Sequence, residues 1–430
     1  MSGLNSQNSR SLFNNKYKHH FLNVILSLQI IVAIVWIGSN IQWIPLYGDT
    51  EEYFKLSTLL RSHSYRTVFY PWILSLLMQV STTFLIEILY SIQWLLGLIS
   101  FYYFFYISFR LILGSSPAKQ AMQTSIYTSA LFPALVMASN PLITHINLSV
   151  LTDGMALSFS LIFITSLISC IYLNNSRMIS FSIMTVSFIM LSLMRVEKLY
   201  FGILIIFLVL LYENYEGRGQ RIKLSTKYSI SILITVVSVM LIYFFITSQT
   251  KIDYGEPGLA VYAMKQVLAA FSSPEALLRK IIVFGKYLLS PLVFIGEWLP
   301  AAFLNLDAES LIIIAGGNRG WNHAGWSTLW TYYHMLAKTP LLTKIYITIF
   351  VFGFGSQCLF LLFVNHRIRM MEQKRVIVYL LIFSLANALL FSFFSSYPDM
   401  HIRYALPSYI SFLLIMFILT VNHKSPNTER

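Results

Sequence analysis

The sequence predicts an all-α, polytopic integral membrane protein of about ten transmembrane helices, with further helices lying along its outer face. Three observations predict it. Hydrophobic residues make up 57% of the chain and mean hydropathy is +0.67, above the apolar share of about 45–50% that is usual in soluble domains. Charged residues are only 11%. The apolar residues also gather into windows of about 17 to 25, the length a helix needs to cross ~30 Å of hydrocarbon.

The first window runs from Phe21 to about Ile44, behind the basic stretch "RSLFNNKYKHH". It is too long for the apolar part of a signal peptide and no small-residue cleavage site follows it, so it reads as a transmembrane helix. Further spans are expected near 83–108, 120–139, 150–173, 178–194, 199–213, 228–248, 343–365, 376–394 and 405–421. The dense basic clusters "NNKYKHH", "EGRGQRIKLSTK" and "NHRIRMMEQKR" all fall on one side of this scheme. Short loops rich in Lys and Arg face the cytoplasm. Both tails, 1–20 and 422–430, are therefore expected there, and residues 1–430 read as a single membrane domain. The two long outer segments are 45–82 and 249–342. In the first, "SYRTVFYPWILSLLMQV" is too short and interrupted to span and reads as an interfacial helix. In the second, 281–303 is compatible with an interfacial, re-entrant or spanning helix.

Net charge is +13, from 30 Lys and Arg against 17 Asp and Glu. In so apolar a chain this excess is assigned to the membrane surface rather than to nucleic acid. The two cysteines, Cys170 and Cys358, lie inside apolar runs, so neither a disulfide framework nor a zinc site is indicated. "AGGNRG" (315–320) lacks the Lys-Ser/Thr of a phosphate loop, and no GxSxG, HExxH or CxxC occurs. Nothing points to ATP, nicotinamide or zinc chemistry.

The acids sort by side. Of the 17, only Glu213, Glu216, Glu372 and Glu429 fall on the cytoplasmic side. Charged groups recur at outer helix ends: Asp49, Glu51 and Glu52 after the first span, Asp153 opening the fourth, Arg195 and Glu197 closing the fifth, and Arg403 opening the last. Each alone reads as an interfacial anchor or, for "DTEE", a helix start. Together, on one face of the membrane, they point to chemistry, because a charge at the membrane boundary is costly without a partner. "GWNHAGWSTLWTYYH" (320–334) adds rings that suit either sugar stacking or an aromatic belt.

In order along the chain, an acid (Asp49), a nearby tyrosine (Tyr53), an apolar helix, then Arg66 and Tyr70-Pro71 follow the first span. An acid at the fourth span's start (Asp153), an Arg-x-Glu (Arg195, Glu197) and an Arg-Tyr followed by Pro (Arg403, Tyr404, Pro407) complete the series. This succession resembles the GT-C membrane glycosyltransferases, the superfamily that includes protein O-mannosyltransferases and the aminoarabinose transferase of lipid A. The resemblance implies transfer of a sugar from a polyprenyl-phosphate carrier to a cell-envelope glycan, lipid or protein at the outer face of a bacterial inner membrane. It implies a catalytic carboxylate among Asp49, Glu51 and Glu52, and donor contacts among Tyr53, Arg66, Tyr70, Asp153, Arg195, Glu197, Arg403 and Tyr404. A divalent metal, Mg or Mn, is left open. The competing readings are a polysaccharide polymerase and a transporter or lipid flippase. A flippase would favour charges and broken helices near the bilayer midplane.

Overall fold

The computed structural model describes residues 48–59, 67–113, 123–147, 152–173, 177–216, 234–242, 245, 265, 267–290, 371–393 and 402–420. Among them the regular structure is entirely helical. The elements are α1 (Gly48–Leu59), α2 (Phe69–Val80), α3 (Leu85–Leu113), α4 (Gln123–Ala138), α5 (Pro141–Asn147), α6 (Thr152–Tyr172), α7 (Arg177–Met194), α8 (Val196–Glu216), α9 (Pro274–Leu288), α10 (Met371–Phe393) and α11 (Ile402–Thr420). The expected spans at 21–44 and 343–365 and the aromatic run 320–334 lie outside the described residues.

Among the described residues three helical stretches are long and apolar enough to cross a membrane: Leu85–Leu111, Thr152–Tyr172 and Lys374–Phe393. Their surroundings differ. In α6, 83% of the most apolar window is buried inside the protein, against 39% in α3. α6 is the hub, packed by α3, α5, α7, α8, α10 and α11. Ser158 and Ser160 turn back onto their own helix at Gly154 O and Ala156 O, so these two buried hydroxyls are satisfied without water. α3 instead leaves Ile92, Leu95 and Ile99 exposed. Such a face has favourable solvation only in lipid.

α2 shows why the stretch after α1 does not span. Its 12 residues rise about 18 Å, well short of the hydrocarbon core. It buries Tyr70, Pro71 and Leu74 while Leu76 and Val80 stay exposed. α9 begins where Ser273 accepts a hydrogen bond from Ala276 N at 3.1 Å and Pro274 occupies the first turn, a start favoured because both residues suit the unpaired amides there. Val283 and Tyr287 face the bundle, whereas Leu278, Ile281 and Ile282 are exposed.

α7 and α8 are separated by a single non-helical residue, Arg195. Their packing depends on Gly202, where a β-carbon would lie 2.2 Å from the Phe188 ring. Phe188 is fully buried and held against Phe163 at 5.2 Å. Gly202→Ala is therefore expected to destabilise the protein by about 1–3 kcal/mol, read as a lower unfolding midpoint in detergent. Gly285→Ala meets open space and should be neutral or raise the midpoint, since alanine is the better helix former.

Polar groups collect at the two ends of this bundle. At one end α6, α8 and α10 meet through Tyr172 and Tyr379, whose hydroxyls both donate to Glu213, the latter at 2.9 Å. At the other end lie Asp153 and Arg195. On α8, Glu197 and Glu213 are 16 residues apart, or about 24 Å, which leaves most of a bilayer's hydrocarbon thickness between the clusters.

Candidate functional site

Asp153 occupies the first turn of α6, where the helix dipole favours a negative charge. Its side chain is buried, and a buried carboxylate is costly unless a cation pairs with it. Arg195 supplies it. The guanidinium Nη1 donates to Asp153 Oδ1, Nε pairs with Glu197 Oε1 at 2.7 Å, and Nη2 donates to the Tyr404 hydroxyl at 3.1 Å. The same guanidinium lies 5.0 Å from the Tyr404 ring centre. Burial works against the charge, but Asp153 and Glu197 outweigh it and hold Arg195 protonated well beyond its ordinary range.

The α7–α8 junction explains how one arginine reaches so many partners. As the only break between two helices, Arg195 stands at an apex. Helix ends leave carbonyls unpaired, and here Thr67 Oγ1 donates to Leu193 O and, at 3.2 Å, to Met194 O. The start of α2 is thereby fastened to the residue before Arg195. Tyr70, three residues on, is fully buried and meets Tyr53 edge to face at 5.0 Å. The Tyr53 hydroxyl lies 3.2 Å from Thr152 Oγ1, one residue before Asp153. Among the described residues the Tyr70 hydroxyl has no hydrogen-bond partner. Burial first, then Tyr53, Tyr90 and Asp153, push this phenol well up, so it stays a neutral donor.

Tyr404 is fixed from two sides. Pro407 sits inside α11, and a proline there loosens the preceding turn because it lacks an N–H and crowds it. Asn387 of α10 donates to Tyr404 O at 2.7 Å and to Ser408 Oγ at 3.3 Å. The Tyr404 ring also stacks on Phe391 at 4.5 Å and 5°.

Six of the residues singled out in the sequence, Tyr53, Tyr70, Asp153, Arg195, Glu197 and Tyr404, thus converge from α1, α2, α6, the α7–α8 junction, α8 and α11. Asp49, Glu51 and Glu52 lie in the first turn of α1, and the helix turns Glu51 away from the face that Asp49 and Glu52 share. Asp49 shares a face with Tyr53, Leu56 and Ser57, all buried, at spacings of four, seven and eight. Glu51 shares one with Lys55, Thr58 and Leu59, all exposed, and Glu52 is half-buried. The side chains of Asp49, Glu51 and Arg403 are outside the described residues, as is the whole of Arg66. Arg403 precedes Tyr404 in the first turn of α11.

The structure adds Lys198, Thr67, Thr152 and Asn387 to the neighbourhood. Lys198 was visible in "RVEK" as one more charge at a helix start, three residues after Arg195. It precedes the apolar stretch 199–213 and is buried, its ammonium 4.7 Å from the ring centre of Phe201 and 4.9 Å from that of Phe391. Burial, and next the like charge of Arg195, push its pKa down to about 8 against the pull of Glu197 and Asp153.

Among the described residues no group of three metal-ligating side chains comes together. Asp153 and Glu197 both face Arg195. No family model, curated protein or solved structure matches this chain.

Proposed function

We propose that the protein is a membrane glycosyltransferase that moves a sugar from a polyprenyl-phosphate carrier to a hydroxyl acceptor at the extracytoplasmic face. The observation that carries this reading is the convergence just described. Residues separated by up to 351 positions in the chain, Tyr53 and Tyr404, meet at one end of an otherwise apolar bundle, and they are those the family resemblance selects. The acceptor hydroxyl is a weak nucleophile until a carboxylate takes its proton. Asp49 fills that role, being the first-turn acid on the buried face of α1. The acceptor oxygen then bonds to the anomeric carbon while the bond from that carbon to the phosphate oxygen breaks, its electron pair leaving with the polyprenyl phosphate. Such a single displacement inverts the anomeric configuration.

In the full arrangement the chain crosses the membrane about ten times, with both termini in the cytoplasm and the Arg195 end outside. A flippase is disfavoured by the concentration of charge at the two bundle ends, since the described stretch of α8 between Lys198 and Glu213 carries none. Topology is checked with single cysteines in a background lacking Cys170 and Cys358. A cysteine at Gly219 should be labelled only from the cytoplasmic side and one at Gly317 only from outside.

The substrate class is tested by mass spectrometry of lipids that copurify with the protein. A sugar on polyprenyl monophosphate is expected. An oligosaccharide on polyprenyl diphosphate would transfer the assignment to a polysaccharide polymerase.

A further inference from the structure

Arg195 is occupied. Three of its donors are engaged by Asp153, Glu197 and Tyr404, so its charge is already compensated by two carboxylates. Lys198 is not in that position. Among the described residues its ammonium has no ion-pair or hydrogen-bond acceptor, and its close neighbours are two phenylalanine faces. Aromatic faces attract a cation but accept no hydrogen bond comparable to an oxygen's, and a buried charge without such a partner is costly. The alternation is continuous: Arg195 lies over Tyr404, Tyr404 stacks on Phe391, and Phe391 and Phe201 flank Lys198. The ammonium is thereby held beside the Arg195 network and outside it.

We infer that Lys198, and not Arg195, is the cation of this end of the bundle that receives a ligand's negative charge, and that the ligand is a phosphate monoester carried on a prenyl lipid. The lipid form is favoured because the ammonium lies one residue before an apolar stretch, at membrane depth, where a soluble anion loses its hydration. Arg195 then becomes a positioning residue, holding Asp153, Glu197 and Tyr404. This inference rests on the proposed use of a polyprenyl-phosphate carrier and assigns the charge that would hold it.

The titration of Lys198 supplies a signature. The charged groups that face it are Arg195, Glu197 and Asp153. Because its folded pKa is about 8, the ammonium is charged below that pH and lost above it. Above about pH 7, where a phosphate monoester carries its full charge, affinity for the anion should be flat up to pH 8 and fall about tenfold per pH unit beyond it.

The test uses purified full-length protein in detergent with farnesyl phosphate as probe, and farnesol, inorganic phosphate and phosphatidylglycerol as comparisons. Wild type is expected to bind farnesyl phosphate far better than the other three. Lys198→Met should weaken that binding about 10- to 100-fold, the worth of one charge-assisted hydrogen bond, and abolish the pH dependence. It should keep or raise the unfolding midpoint of the ligand-free protein, because a buried charge has been replaced by an apolar chain of similar shape. Lys198→Gln provides a second folded variant with the same expected loss. Equal binding by wild type and both variants overturns the role of Lys198 while leaving a carrier phosphate to Arg66 or Arg403. Binding of phosphatidylglycerol as tightly as farnesyl phosphate overturns the prenyl monoester. A folded wild type that binds none of the four probes overturns both this inference and the proposed donor class.

Discussion

Arg195→Met is expected to lower stability by about 3–5 kcal/mol, the cost of removing one member of a buried ion network. The reason is what remains. Asp153 and Glu197 would both lose the cation paired with them, and the Tyr404 hydroxyl and ring would lose the partner that now holds both. The side chain of Arg195 is only 14% exposed, so water can replace little of this. The loss should be visible as a large drop in unfolding midpoint in detergent or lipid. A second change separates uncompensated charge from mere loss of bulk: adding Asp153→Asn and Glu197→Gln to Arg195→Met should recover a substantial part, because neutral amides cost less to bury than carboxylates. A single variant as stable as wild type would show that the three groups are not energetically coupled.

Asp49→Asn is expected to reduce sugar transfer about 10²-fold or more, the usual contribution of a general base, with donor binding retained. The substitution keeps the side chain's shape and removes its basicity. The neighbouring acids give the comparison. Glu51 occupies the face of α1 that carries exposed Lys55 and Thr58, and Glu51→Gln should leave transfer near the wild-type rate. Glu52, half-buried at the next position, is expected to show an intermediate effect through its charge alone. Should Glu51→Gln or Glu52→Gln abolish transfer while Asp49→Asn does not, the base lies elsewhere in the first turn of α1.

Much of the helical framework was legible because the membrane imposes a length. Helices occur over the windows expected near 83–108, 120–139, 150–173, 178–194, 199–213, 376–394 and 405–421. The short helix after α1 was legible for the same reason in reverse, being too short to span. The position of α6 was not. In a soluble protein an amphipathic period tells a buried face from an exposed one, but in lipid both faces are apolar. "SFSLIFITSLISC" and "LISFYYFFYISF" therefore read alike, although the first is the buried hub and the second half faces outward.

The site divides along a similar line. The membership of Tyr53, Tyr70, Asp153, Arg195, Glu197 and Tyr404 could be read because charges and short motifs are conspicuous against an apolar background. Their division of labour could not. The resemblance placed Arg195 among the donor contacts, and only the approach of Asp153 and Tyr404, 42 and 209 residues away, together with that of Glu197, shows three of its donors already taken. Lys198 was not singled out in the sequence, and its setting appears only with Phe201 and Phe391 on either side of it. Asn387 was hidden altogether, a single amide in an apolar run, and its role appears only with its hydrogen bond to the Tyr404 carbonyl.

The central claim is sugar transfer from a polyprenyl monophosphate at the outer face, and reconstitution tests it most directly. Protein in liposomes is given a polyprenyl-phosphate sugar labelled in the sugar, together with an envelope extract as acceptor, and the fate of the label is followed. The account predicts label moving to acceptor with inverted anomeric configuration, polyprenyl phosphate appearing in equal amount, and both events lost in Asp49→Asn. Label that crosses to the opposite leaflet still attached to its lipid, with no polyprenyl phosphate released, would contradict it.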